Sequence, residues 1–252
     1  LLQHFKGWKI KTPTPHFEPQ AMTLMDFRTP QDDATRFFYV LPFSPSEALV
    51  EFTAFSAHPY QDAVYHDALQ TYIKEQLNIS SYEITAIEQG RIPMTTAAFS
   101  AQQSARIWNI GTRAGWIKPS TGYGFLRIWE RTRALANVVT SNVSKQMHWK
   151  HKFGQGRFAF YDKLLLHILS KPSQKPMGQH IFSNMFARND AQQVLTFLSE
   201  RTHLLQEINL FARLPKRPFL KALLETSLSS ILGHTPTAPL KQKDSLSCLQ
   251  KT

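Results

Sequence analysis

With 252 residues and 42% hydrophobic composition, the chain is long enough to bury a substantial core as one large or two small domains, which excludes a disordered class. Its single cysteine, Cys248, lies in a polar tail, excluding a disulfide framework or a cysteine-based zinc or iron-sulfur site and fitting a reducing compartment. Lysine and arginine outnumber aspartate and glutamate by 29 to 18, a formal charge of +11 that favours an anionic partner.

No apolar run approaches the ~20 residues needed to cross a bilayer, and LLQHFKGWKIK is too short and interrupted for a signal peptide. Any membrane contact is therefore expected to be peripheral. The chain opens on Leu1-Leu2 inside what reads as a folded element, and it is expected to be the C-terminal piece of a longer protein.

Phe37–Leu41 and Ala48–Phe55 read as two strands around the proline and serine turn Pro42–Ser46, a hairpin. Residues 60 to 77 place Val64, Tyr65, Leu69, Tyr72, Ile73 and Leu77 at helical spacing, and Tyr82–Ile87 returns to strand character. The first hundred residues are thus an α+β layer. Ala105–Ile110 reads as a buried strand, followed by a glycine-bearing turn and a long helix with apolar positions Phe125, Ile128, Trp129, Thr132, Leu135 and Val139. Beyond residue 145 the pattern is helical: 158–170, 180–187, 191–199 behind an Asp190 cap, 203–213 behind Thr202, and 216–232 before Gly233. The last ~20 residues are polar, proline-containing and expected to be disordered.

The turn Gly111–Gly115 and the run Pro119–Gly124 join that strand to its helix. Ser120 or Thr121 is placed to cap the helix through a hydroxyl, and Pro119 stops it extending backwards. Backbone N–H groups facing outward beside a positive helix end suit an anion or an electron-rich ring, and equally a purely structural turn.

Glu51 is the second candidate. Alternation puts Leu49, Glu51, Thr53 and Phe55 on one face and Ala48, Val50 and Phe52 on the other. A carboxylate among apolar neighbours must be paired, protonated or functional, unless it is an exposed glutamate on an edge strand.

His148–Phe153 interleaves aromatic and basic residues, but charge is spread along the chain and no nucleic-acid partner is expected. His148 with His151, and Glu200 with His203, have metal-ligand spacing without a second half, so no metal is expected.

Met25–Arg28, Leu41–Ser44, Leu49–Thr53, Arg91–Met94, Gly111–Gly115, Pro119–Tyr123 and Phe160–Leu166, taken in order, closely resemble the lycopene β-cyclase flavoproteins of carotenoid biosynthesis, over roughly residues 5 to 225. The resemblance implies an α/β fold in three parts. Residues 1–104 would form a mixed α+β substrate-binding region, 105–145 part of a hydroxybenzoate-hydroxylase-like FAD-binding domain, and 146–232 a helical C-terminal region. Residues 233–252 would be the tail. The family's N-terminal nucleotide-binding βαβ unit has no counterpart in this sequence.

The resemblance also implies a reaction. Lycopene would be cyclised without net oxidation, first to γ-carotene and then to β-carotene, Glu51 falling on the family's essential acid. The neighbouring position, acidic in plant-type members, is Phe52 here. FAD, in reduced form and with NAD(P)H as reductant, would lie at Gly111, Thr112, Ala114, Gly115, Pro119, Ser120, Thr121, Gly122 and Tyr123. Many relatives in the wider superfamily carry aspartate at the place of Thr112. Partners implied are lycopene, related acyclic carotenoids and an anionic membrane surface, with the protein peripheral on the cytoplasmic side. A flavin-dependent monooxygenase and a non-catalytic basic remnant remain the alternatives.

Overall fold

The computed structural model describes residues 1–100, 102–104, 107–140, 156–171 and 177–231. Its architecture is mixed α/β, built on a five-stranded antiparallel sheet in the order β2-β3-β4-β1-β5. The strands are β1 (Leu2–Lys11), β2 (Thr23–Asp26), β3 (Thr35–Ser44), β4 (Glu47–Ser56) and β5 (Glu83–Pro93). β3 and β4 form the hairpin expected from the sequence.

β1 lies between β4 and β5 and pairs antiparallel with each along its whole length. Its apolar and polar residues do not alternate, because polar side chains on it are buried with partners of their own. His4 sits between the Ser56 hydroxyl and the Tyr65 hydroxyl, 2.7 Å from each. Burial and the nearby Arg91 push its pKa down to about 4, so the ring is neutral. Lys6 Nζ reaches Asp62 Oδ1 at 2.5 Å.

One face of the sheet is covered by α1 (Asp62–Glu75). Trp8, Ile10, Phe38, Val40, Ala48, Val50 and Phe52 close over its Tyr65, Leu69, Tyr72 and Ile73, and the Phe38 and Tyr72 rings stack 3.8 Å apart. Tyr72 also donates its hydroxyl to Asp26 Oδ2 (2.6 Å), the carboxylate that Arg28 grips with Nε and Nη2. Burial alone would raise the Asp26 pKa, but the bonds from Arg28 and Tyr72 hold it below the usual carboxylate range. Part of the Met25–Arg28 motif is thus a knot between β2 and α1.

The other face is partly covered by the C-terminal helices α3 (Arg157–Ser170), α4 (Met177–Arg188), α5 (Ala191–Leu198), α6 (Leu204–Ala212) and α7 (Lys216–Ile231). Phe37 and Phe55 from the sheet join Phe158, Leu166, Phe182, Met185, Phe197 and Leu210 in one cluster. Asp190 caps α5 as expected, accepting from the Gln193 N–H. Thr202 does not cap α6: the helix starts after His203, whose N–H is taken by Gln206, and the Thr202 hydroxyl goes instead to the buried Glu207 carboxylate.

Two expectations fail between these layers. The described part of Ala105–Ile110 is not a buried strand: β6 (Gln102–Ser104) and β7 (Ile107–Trp108) pair as a short two-stranded sheet with Ile107 and Ile110 exposed, and residues 105–106 lie outside the described residues. α2 (Phe125–Thr140) forms as expected, but its apolar stripe is open: Phe125 is 78% and Trp129 55% exposed, their rings stacked on each other at 6.4 Å. His148, His151, Gly154, Cys248 and the 233–252 tail lie outside the described residues.

Because Phe38 is fully buried and stacked on Tyr72, Phe38→Ala is expected to cost about 3–5 kcal/mol, read from urea unfolding at an unchanged m-value.

Candidate functional site

Glu51 is not on an edge. β4 lies between β3 and β1, and the alternation holds: Ala48, Val50 and Phe52 face α1 while Glu51 and Thr53 face the other side. Directly across from Glu51 stand Tyr39 on β3 and Gly7 on β1, and across from Gly7 stands Glu88 on β5. Paired residues of an antiparallel sheet share a face, so Tyr39, Glu51 and Glu88 point the same way around a residue with no side chain. A Cβ at Gly7 would sit 3.0 Å from Glu88 Cγ, 3.3 Å from its Oε1 and 2.9 Å from Leu49 Cδ1.

The half-buried Glu51 carboxyl is pushed from 4.5 up to about 8. Burial is the main cause; hydrogen bonding with the Glu88 carboxylate and its negative charge add to it, and the Thr53 hydroxyl donating to Oε1 at 2.8 Å opposes it. Its environment therefore favours the protonated acid. An acid at position 52 would point at α1; the second carboxylate on this face comes from Glu88 instead.

The glycine-bearing segment reaches the same face. Gly111–Ala114 forms a single 3-10 turn ended by Gly115 in the left-handed conformation (φ 67°). The next turn is closed by Lys118 N–H to Tyr123 O (2.8 Å) and Gly122 N–H to Lys118 O (3.0 Å). Gly122, at φ 72°, lies so close to β1 that a side chain there would collide with the Gln3 amide. Tyr123 neighbours Tyr39; burial raises the pKa of both phenols, and Tyr123 and the Glu51 charge raise that of Tyr39 further.

Ser120 and Thr121 do not cap α2, which begins at Phe125 with Gly124 O accepting from Ile128 N–H (2.8 Å). Ser120 instead donates to Asp162 Oδ1 at 2.5 Å. Asp162 belongs to a buried ion cluster in which Lys118 Nζ lies 2.8 Å from it and 2.9 Å from Glu200 Oε1, and Arg127 also grips Glu200. The cluster pins the turn to α2, α3 and the segment after α5. Glu200 is committed there, which disposes of it as half of a metal pair with His203; among the described residues no three His, Cys, Asp or Glu gather to hold a metal.

Thr112, Gly115 and Pro119 line a cavity of about 170 Å³ together with Phe99, Arg127 and Asp162. Glu51 does not line it. Its polar lining suits one polar portion of a cofactor such as FAD. The cavity offers the Thr112 hydroxyl; Gly111, Thr121 and Tyr123 do not line it, although the space a side chain would fill at Gly111 is open and the buried Thr121 hydroxyl has no hydrogen-bond partner among the described residues. Ala114 is packed inward and Ser120 is spoken for by Asp162.

Gly7, Tyr39, Glu88 and the ion cluster were not singled out by sequence pattern. A lone glycine within a strand signals a close approach, and Glu88 stands three residues before the Arg91–Met94 motif, so both signals were available. The cluster yields a prediction: Glu200→Gln leaves two buried cations facing one carboxylate, and should destabilise the protein by about 3–5 kcal/mol in thermal or denaturant unfolding.

A curated lycopene beta-cyclase from Paracoccus sp. (strain N81106 / MBIC 01143) is 36% identical over 126 residues, 48% of this chain and 32% of the relative, so the match spans about a third of that protein's length. Among solved structures, a geranylgeranyl bacteriochlorophyll reductase-like protein from Thermoplasma acidophilum is similar at 15% identity and a TM-score of 0.41, over 92% of this chain and 54% of that one. The model of the family described as lycopene cyclase protein matches residues 1–224, spanning both Glu51 and the glycine-bearing turn, and the chain belongs to that family.

Proposed function

We propose that this chain carries the acid of a lycopene β-cyclase, with Glu51 as proton donor. The observation that carries the reading is the half-buried Glu51 carboxyl, set across Gly7 from Glu88 on the sheet face that also receives the glycine-bearing turn, where burial favours its protonated form.

Lycopene has no ionisable handle. Ring closure needs a proton on a terminal double bond, attack of a neighbouring double bond on the resulting cation, and loss of a different proton, without net oxidation. Glu51 supplies the first proton as its O–H bond breaks and a C–H bond forms. Tyr39, Tyr123 and Leu49 on this side would help to keep out water, which would trap the cation as an alcohol. Reduced FAD, held at Gly111, Thr112, Gly115, Pro119, Thr121 and Tyr123, would supply an electron-rich ring whose field favours a nearby cation. NAD(P)H fits as its reductant.

An apolar substrate dissolved in a membrane calls for peripheral docking. Leu204, Leu205 and Ile208 on α6 and Leu220 and Leu224 on α7 are exposed, with Lys216, Arg217 and Lys221 exposed on α7, a combination suited to an anionic surface on the cytoplasmic side. No helix among the described residues is long and apolar enough to cross a membrane.

In lycopene-accumulating cells expressing the complete reading frame, Glu51→Gln should abolish cyclic carotenes while flavin content and expression stay at wild-type levels. Retained cyclisation would overturn the acid assignment. With purified protein, activity should fall as pH rises through about 8, where Glu51 loses its proton. Stability gives an independent reading. The folded state holds the Glu51 proton where the unfolded chain, near 4.5, has released it, so ionising Glu51 costs the fold between pH 4.5 and about 8. Relative to Glu51→Gln, the wild type should lose stability across that window and run parallel outside it.

A further inference from the structure

We propose that Glu88 is the proton partner of Glu51, taking protons from solvent and passing them across the gap left by Gly7 to recharge the acid between turnovers. The inference rests on the reading of Glu51 as the proton donor and adds a second residue to it.

The register makes the pair. Glu51 and Glu88 are each paired directly with Gly7, one from either side, and Glu88 Cγ occupies the space a side chain at Gly7 would take. Glu51 is half-buried in an interior strand, whereas Glu88 is exposed on the edge strand β5. Both carboxyls project from one face of the sheet, Glu51 half-buried and Glu88 open to water.

The groups facing the pair leave it free to share a proton. On β4, Thr53 donates to Glu51, and Glu47 is paired with Lys9 of β1 at 3.7 Å. β3 contributes Tyr39 and the turn contributes Tyr123, both neutral phenols. Among the described residues no cation forms an ion pair with Glu51 or Glu88. Two carboxyls facing each other without a counter-ion are an arrangement in which a proton can be shared, since ionising both at short range is costly.

The cycle balances. Glu51 loses its proton as the C–H bond forms on the substrate, the ring closes, and a different C–H bond breaks to release a proton that ends in solvent. The facing pair, now doubly negative, binds a proton from water at Glu88 and returns it to Glu51. No electrons are exchanged with the protein's carboxyls.

Glu88→Gln removes the negative charge and leaves an amide able to donate to Glu51. Its expected signature is a downward move of the alkaline limb of the pH–rate profile by about one unit or more. The Glu51 carboxyl should move equally in a ¹³C NMR titration of glutamate-labelled protein, assigned by the signal missing in Glu51→Gln. Gly7→Ala, which wedges a methyl group between the two side chains, should shift both in the same direction with Glu88 intact. Glu88→Asp should recover part of the wild-type profile. If Glu51 titrates at its wild-type position in Glu88→Gln and Gly7→Ala, the partnership is wrong while the acid role of Glu51 stands. If Glu51→Gln itself still cyclises lycopene, the underlying reading fails instead.

Discussion

Full-length pairing of β1 with both β4 and β5 decides which side chains share the face of Glu51, because a slip of one residue would turn each of them to the opposite side of the sheet. In the observed register Gly7 falls between Glu51 and Glu88, Gln3 meets Gly122, and Trp8 and Ile10 are left to pack under α1. The apolar face anchors the register, since moving it would expose Trp8, Phe38, Val50 and Phe52 together. The position of the acid is therefore a by-product of the core on the other side of the sheet.

The second constraint is electrostatic. Lys118, Arg127, Asp162 and Glu200 are all buried, so each charge depends on the others for the solvation that water no longer supplies. That dependence spans α2, α3, the segment after α5 and the turn between Trp116 and Tyr123. Holding the turn from behind allows its front, Gly122 and Tyr123, to rest on the sheet beside Gln3 and Tyr39. Ser120 is diverted from helix capping by the same cluster, a stronger claim on its hydroxyl than a free backbone N–H.

Much of the architecture was legible because it follows local rules. The β3–β4 hairpin, α1, the C-terminal helices and the Asp190 cap follow from alternation, helical spacing and a side-chain acceptor. The two faces of β4 were also readable, and with them the side on which Glu51 lies. What escaped depends on distant partners. β1 does not alternate, because His4 and Lys6 are buried with Tyr65, Ser56 and Asp62, residues that sequence spacing cannot bring near. The surface position of Ile107 and Ile110 reflects the absence of any described element over them, which an apolar run cannot announce. Glu88 escaped because its meaning lies in a cross-strand relation through Gly7.

The central claim is that a carboxyl of this protein delivers the proton that starts ring closure. Glutamate protons exchange with solvent, so the test is to supply unlabelled lycopene to the complete, flavin-loaded protein in D₂O and weigh the product by mass spectrometry. The account predicts a single solvent deuterium fixed in each ring formed, with no labelled product from Glu51→Gln. Cyclic carotene free of deuterium, or labelled equally by the glutamine variant, would contradict it.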